Sequence, residues 1–78
     1  MKIIEFNKGI LFYLLKDGKC EARDYEYRNF KINVVNTSSE IIFLDEYENY
    51  QINISKYDVI DLLQNKSIQI DSYKILIY

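Results

Sequence analysis

The stretch DYEYRNFKINVV, residues 24–35, reverses its alternation of apolar and polar side chains halfway along. From Phe30 onward the apolar residues occupy even positions, whereas Tyr25 and Tyr27 occupy odd ones. Because successive side chains of a β-strand point to opposite faces, this reversal indicates a turn, a bulge, or aromatic rings that face away from the core. Asparagine tolerates turn and left-handed conformations, so we predict a turn or bulge at 28–29 that leaves at least one tyrosine ring partly exposed.

Short apolar segments on both sides of this stretch predict further strands. In the N-terminal half we predict strands at 2–6, 10–16 and 19–25. The second of these, ILFYLLK, is apolar on both faces, and Asp17-Gly18 is predicted to join it to the third as a two-residue hairpin turn. In the C-terminal half the predicted strands are 30–35, 40–44, 50–54, 67–70 and 73–78.

Residues 55–66 have the period of an α-helix. Ser55 is a suitable N-cap, Asp58 stands where a capping box has its acid, and Ile54 and Val59 have the spacing of a hydrophobic staple. The predicted apolar stripe consists of Val59, Ile60, Leu62 and Leu63. A helix of this length is not stable alone, so we expect it to pack against the sheet.

These segments predict a single domain, residues 1–78, that is mainly β with one short helix. The expected architecture is a small, strongly bent antiparallel sheet or a partly open barrel of SH3 or OB size, with helix 55–66 packed on it. An open α+β roll is the alternative. A chain of 78 residues that is 49% hydrophobic can form one core, but not a core and a deep ligand cavity.

The composition lacks most of the groups that carry enzyme chemistry. The chain has no histidine, which excludes Ser–His and Cys–His nucleophiles and histidine metal sites, and it has no glycine-rich phosphate loop. Cys20 is a lone cysteine that we interpret as a small buried hydrophobe. The neighbouring carboxylates Asp45 and Glu46 are interpreted as solvated and not as a metal site. We therefore predict no enzyme activity, no cofactor and no bound metal.

Charge and cysteine content bear on partners and location. A net charge of −2, a pI of about 5.0 and scattered basic residues disfavour direct binding to nucleic acid or to a membrane surface. One cysteine and no apolar run long enough for a signal peptide or a membrane span indicate a cytoplasmic protein. Abundant Ile, Lys, Asn and Tyr with scarce Ala and Arg are typical of AT-rich coding DNA, as in low-GC bacteria and their phages. A phage-encoded chain would act in the cytoplasm of its host.

Eight tyrosines without a tryptophan are the most distinctive feature of the sequence. A single tyrosine on a strand usually packs its ring on the sheet and leaves its hydroxyl in water. Several of these tyrosines lie among acids, however, and tyrosine is enriched at interface hot spots because it offers contact area at low entropic cost. The predicted partner-binding residues are Tyr25, Glu26, Tyr27, Asp45, Glu46, Tyr47, Glu48 and Tyr50.

This pattern favours a small interaction module that binds a basic surface of a larger protein, for example a nucleic-acid-binding one. An inhibitor encoded by a phage or mobile element, directed against a host defence system, would fit the composition. One alternative is a barrel that binds single-stranded nucleic acid by stacking on Tyr25, Tyr27, Phe30 and Phe43, with Arg28 and Lys31 near the backbone. A second alternative is a structural protein that dimerises through its sheet edges, because ILFYLL and IIFL need cover.

Overall fold

The computed structural model describes residues 2–45 and 50–78, apart from the side chain of Phe12. This described part contains seven strands, one α-helix and one 3-10 helix. The strands are β1 (Lys2–Phe6), β2 (Gly18–Asp24), β3 (Asn29–Asn36), β4 (Glu40–Asp45), β5 (Gln51–Ser55), β6 (Ser67–Ile70) and β7 (Tyr73–Ile77). The 3-10 helix spans Lys8–Leu15, and α1 spans Lys56–Asn65.

The strands form one sheet in the order β5-β4-β3-β2-β1-β7-β6, which curls into a nearly closed barrel. Strands β1 to β5 form an antiparallel meander, whereas β7 lies parallel to β1. Helix α1 connects the edge strands β5 and β6 and packs against both. The predicted fold, a mainly β barrel-like sheet with helix 55–66 packed on it, is confirmed. The parallel pairing of β1 with β7 departs from a wholly antiparallel sheet.

The core lies inside the curled sheet and takes alternate residues from each strand. Ile4 and Phe6 of β1 are fully buried, and the ring of Phe6 lies 5.0 Å from that of Phe43 on β4, centroid to centroid. Cys20 and Ala22 of β2 are also buried, which agrees with the inward face predicted for them. The period-2 alternation of the sequence therefore identifies the core face of these strands.

Residues 10–16 do not form the predicted strand. They belong to the 3-10 helix and its C-terminal cap, so no two-residue hairpin forms at 17–18. The side-chain oxygen of Asn7 accepts a hydrogen bond from the N–H of Gly9 at 2.8 Å and caps the start of this helix. Ile10 and Leu14 are buried. An apolar run without a clear period fits a strand or a helix equally well, so the local pattern could not distinguish the two.

Helix α1 begins with the predicted capping box. The N–H of Asp58 donates to Ser55 Oγ at 3.0 Å, and the N–H of Ser55 donates to Asp58 Oδ2 at 2.9 Å. The apolar stripe is narrower than predicted, because Val59 and Leu62 are buried whereas Ile60 and Leu63 are exposed. In the described part of the chain, no helix has the length and apolar character needed to cross a membrane.

Candidate interaction surface

The meander brings two connections of the sheet to the same end of the barrel. The β2–β3 connection follows Asp24, and the β4–β5 connection follows Asp45. Because consecutive antiparallel strands reverse direction, every second connection returns to the same end. Asp24 at the end of β2 and Asp45 at the end of β4 therefore lie at the same end of the barrel. The opposite end carries the 3-10 helix and the start of α1.

The first connection is a tight hairpin loop, which we call the tyrosine turn (residues 24–28). The N–H of Tyr27 donates to the carbonyl of Asp24 at 2.8 Å, and the N–H of Asp24 donates to the carbonyl of Arg28 at 3.1 Å. Tyr27 has a left-handed backbone with φ of 61°. A three-residue loop that ends in a left-handed residue is a common hairpin connection. The reversal of the apolar pattern in the sequence corresponds to this loop at 25–27. The prediction of a turn or bulge at 28–29 was therefore wrong.

The turn is organised by the carboxylate of Asp24, which is buried. One oxygen, Oδ1, accepts hydrogen bonds from the N–H groups of Glu26 at 2.8 Å and of Arg28 at 3.2 Å. The other, Oδ2, accepts from Arg28 Nε at 2.9 Å and lies 2.6 Å from its Nη2. Burial by itself raises the pKa of Asp24, but these hydrogen bonds and the charge of Arg28 outweigh burial and hold the pKa below its ordinary value. Asp24 was not among the predicted site residues, although aspartate before a turn is a recognisable signal.

The turn presents two exposed aromatic rings. The side chains of Tyr25 and Tyr27 are 56% and 67% exposed, as the sequence predicted for at least one of them. Between them stands the carboxylate of Glu26, 3.2 Å from Arg28 Nε. The turn therefore carries two carboxylates and one guanidinium, and this guanidinium is already engaged by both carboxylates.

An arginine of the neighbouring strand stacks on the turn. The guanidinium carbon of Arg23 lies 5.0 Å from the ring centroid of Tyr27 and 3.6 Å from that of Tyr78. Its Nε is 2.5 Å from Glu5 Oε2, so the arginine is also held by a carboxylate. A cation over an aromatic face at these distances is attracted by the ring quadrupole. The ring of Tyr27 is thus fixed on one side while most of its surface remains exposed.

The second predicted segment, 45–50, divides into described and undescribed residues. Glu46, Tyr47 and Glu48 lie outside the described residues. Asp45 is buried, because its pairing with Ile32 places it on the inner face of β4, and it accepts a hydrogen bond from the N–H of Tyr50 at 3.4 Å. It is therefore not the solvated loop carboxylate that we expected.

Tyr50 is half-buried in an aromatic cluster and does not project from a loop. Its ring centroid lies 5.5 Å from that of Tyr73 and 6.4 Å from that of Phe30. Its hydroxyl is buried and has no hydrogen-bond partner among the residues that the structure describes. Burial and then the negative charges of Asp45 and Asp24 raise the pKa of Tyr50.

The residues that the alternative function would use to bind single-stranded nucleic acid differ in how exposed they are. Phe43 is fully buried against Phe6, so it cannot stack on a base. Phe30 is half-buried, and the two basic residues are paired, Arg28 with Asp24 and Lys31 with Glu21 at 3.3 Å. This arrangement offers two exposed rings, those of Tyr25 and Tyr27, but little free positive charge next to them.

A cleft of about 580 Å³ lies between the 3-10 helix and the sheet, and Cys20 and Lys31 contribute to its lining. Burial raises the pKa of Cys20 to about 12, and the nearby charge of Lys31 opposes this shift only in part. The sulfur is therefore a neutral thiol near neutral pH, and the cleft gains no thiolate nucleophile from it. In the described part of the chain, no group of three or more Cys, Asp and Glu side chains is placed to hold a metal ion.

Comparisons of this chain with protein-family models, with curated proteins and with solved structures give no match. A fold by itself does not imply a function, so the exposed side chains of the tyrosine turn and their charges are the guide to what this chain binds.

Proposed function

We propose that this protein is a small non-catalytic interaction module that binds a basic surface of a larger protein through the tyrosine turn. The observation that supports the proposal is the backbone of Tyr27. A residue other than glycine in the left-handed region costs about 1–2 kcal/mol, and such strain clusters at functional sites. Glycine or asparagine would suit this position better, yet the chain has a tyrosine there whose ring is mostly exposed.

The chemistry of the turn favours a cationic partner. The carboxylates of Asp24 and Glu26 share the single guanidinium of Arg28, so the turn keeps one negative charge. The rings of Tyr25 and Tyr27 offer faces to a guanidinium or an ammonium group. The contact of Arg23 with Tyr27 is an example of this pairing within the chain itself. The hydrogen bonds of Asp24 fix the turn before binding, which lowers the entropic cost of association.

The biological setting that we propose is inhibition of a host protein by a chain that a phage or mobile element encodes. The coding composition supports this setting, and an acidic, aromatic surface can imitate the phosphates and bases of a nucleic acid. A host protein that binds nucleic acid through a basic surface would then be blocked by competition.

The proposal is tested by immobilising the purified chain and measuring which proteins it captures from a lysate of the cells that produce it. We expect capture of a basic protein that weakens at high salt, and at least tenfold less capture by the variants Tyr25→Ala/Tyr27→Ala and Glu26→Lys. The matched controls are Tyr57→Ala and Asp61→Lys on α1, where Tyr57 is 80% exposed and Asp61 is exposed. These controls should capture as much as the wild type.

Two results would count against the proposal. Equal capture by all variants would show that the turn is not the contact surface, and loss of capture only in Tyr57→Ala would move the contact to α1. A second assay follows a labelled single-stranded oligonucleotide at low salt. A mobility shift that the Tyr25→Ala/Tyr27→Ala variant loses would favour the nucleic-acid alternative. Thermal unfolding of each variant establishes that the fold is retained.

A further inference from the structure

The end of the barrel beside the tyrosine turn brings together side chains that the sheet register places there. We call it the mouth and define it by six residues at inward positions of the strand ends: Lys2, Asp24, Phe30, Asp45, Tyr50 and Tyr73. Lys2 pairs with Tyr73 in the parallel β1–β7 ladder, two residues before the buried Ile4. Since side chains alternate along a strand, the side chain of Lys2 projects from the same face of β1 as that of Ile4 and points across the mouth.

The ammonium group of Lys2 lies over an aromatic ring there. Its Nζ is 4.4 Å from the ring centroid of Tyr50. Tyr73 stands next to Tyr50 with an interplanar angle of 36°, and Phe30 meets Tyr50 edge-on at 76°. The contact found with the ammonium group is thus that of the Tyr50 ring, and Tyr73 and Phe30 pack against this ring. Proteins use grouped aromatic rings to bind cations, above all quaternary ammonium groups.

Two carboxylates are buried at this end of the barrel. Those of Asp45 and Asp24 both act on the hydroxyl of Tyr50, although Asp24 is already paired with Arg28. That hydroxyl has no hydrogen-bond partner among the described residues and can accept one from a donor. Lys2 takes part in none of the ion pairs found within the described residues. A cation is therefore favoured at the mouth. In the free protein this cation is the ammonium group of Lys2, at the end of a flexible side chain.

We propose that the mouth is an aromatic cage for a lysine side chain, and that Lys2 occupies it in the free protein in place of a lysine of the partner. The inference deepens the proposed function, because it names the group by which a basic partner is recognised, and it rests on that function for the source of the lysine. Lys2 is then a built-in competitor that lowers the affinity of the cage for other ammonium groups.

The cage is tested without the partner, by NMR titration with the peptide acetyl-Gly-Lys-Gly-amide. The control peptide has norleucine in place of lysine, which keeps the stem and removes the charge. In Lys2→Met, which removes the competing ammonium, we expect the lysine peptide to bind at least threefold more tightly than in the wild type. The norleucine peptide should bind neither protein. In the wild type, the ε-methylene protons of Lys2 should be shifted upfield by the ring of Tyr50 and should lose that shift as the peptide binds.

Substitutions in the rings complete the test. Tyr50→Leu in the Lys2→Met background should abolish peptide binding, whereas Tyr50→Phe should retain most of it, because the ring face carries the contact. Should Tyr50→Leu fail to fold, Tyr73→Leu removes a neighbouring ring and should weaken binding at least threefold. Unchanged affinity in Lys2→Met, or binding that survives both leucine variants, would overturn the inference and show that Lys2 only covers the mouth. Equal binding of a peptide with arginine in place of lysine would overturn the assignment to lysine.

The two proposals fail in different ways. If Tyr25→Ala/Tyr27→Ala leaves partner capture intact while the peptide still binds Lys2→Met, the proposed function of the turn is wrong and the cage stands. If the turn variants lose capture but the lysine peptide binds neither the wild type nor Lys2→Met, the turn stands and the cage is wrong.

Discussion

Arg28 reaches back four residues to Asp24, and its Nη2 and Nε lie 2.6 Å and 2.9 Å from the same carboxylate oxygen. The second oxygen of Asp24 accepts two backbone N–H groups of the turn. One buried carboxylate therefore fixes the direction of the loop that carries Tyr25 and Tyr27. Loss of Asp24 should disturb both the stability of the hairpin and the presentation of these rings.

This arrangement predicts a specific response to acid. Because the pKa of Asp24 is lowered on folding, its contribution to stability is present above its unfolded pKa of about 3.9 and is lost as the pH falls through the folded pKa. We expect Asp24→Asn to be less stable than the wild type by about 1–3 kcal/mol at pH 7. The difference in unfolding free energy between Asp24→Asn and the wild type should shrink as the pH falls from 5 to 2, as followed by urea unfolding with circular dichroism.

Asp61→Asn on the exposed face of α1 is the control and should differ little from the wild type at either pH. A constant difference between Asp24→Asn and wild type across this range would contradict the prediction.

The left-handed backbone of Tyr27 predicts that glycine is tolerated there better than at the neighbouring tyrosine. Glycine in an ordinary position costs about 0.5–1 kcal/mol through the entropy of the unfolded chain. At Tyr27, glycine also relieves about 1–2 kcal/mol of backbone strain, which stabilises the folded state. Loss of the contact between Arg23 and the Tyr27 ring costs about 0.5–1 kcal/mol and cancels part of that gain. Tyr27→Gly should therefore be more stable than Tyr25→Gly by about 1 kcal/mol in chemical denaturation. Equal or greater destabilisation by Tyr27→Gly would show that the strain is negligible.

The sequence was sufficient where structure depends on neighbouring residues. The capping box of Ser55 and Asp58 and the staple residues Ile54 and Val59 are a few positions apart, and the helix forms where they predict it. Most strands were recognised for the same reason, since the alternation of apolar residues is a local signal. The reversal of that alternation within residues 24–35 likewise predicted that at least one of Tyr25 and Tyr27 is exposed, and both are.

The sequence was insufficient where the structure depends on distant pairing. Nothing near Lys2 in the chain indicates Tyr73, because only the parallel register of β1 with β7 makes them neighbours. The burial of Asp45 likewise depends on its pairing with Ile32 of β3. The apolar segment 10–16 was misassigned because its residues suit a strand or a helix. Burial of Ile10 and Leu14 is compatible with either, and the hydrogen bond from the N–H of Ile10 to the carbonyl of Asn7 identifies the 3-10 helix.

The capping box predicts a measurable contribution of Ser55 to stability. Ser55→Ala removes the acceptor for the N–H of Asp58, and loss of such an N-cap costs about 1 kcal/mol. The control is Ser39→Ala in the exposed β3–β4 turn, which should change the free energy of unfolding by less than about 0.5 kcal/mol. Equal effects of the two substitutions in urea unfolding would mean that the cap does not hold the helix in place. Because α1 joins the two edge strands, Ser55→Ala should also speed hydrogen exchange at β6 more than at β2.

Burial of Cys20 predicts that the protein loses stability in alkali. Its pKa rises from an ordinary value near 9 to about 12 in the folded chain, so the unfolded chain ionises first. The contribution of the buried neutral thiol to the free energy of unfolding is therefore complete below pH 9, and it declines as the pH rises from 9 towards 12. Relative to Cys20→Ala, the wild type should lose about 1 kcal/mol of unfolding free energy between pH 9 and pH 10. Urea unfolding of both proteins under reducing conditions measures this difference. Tyr50 is present in both, and its contribution nearly cancels because Cys20 is the smallest of the causes that raise its pKa. If the two proteins respond identically to alkali, the thiol ionises as readily in the folded chain as in the unfolded one, and the sulfur is accessible from the cleft.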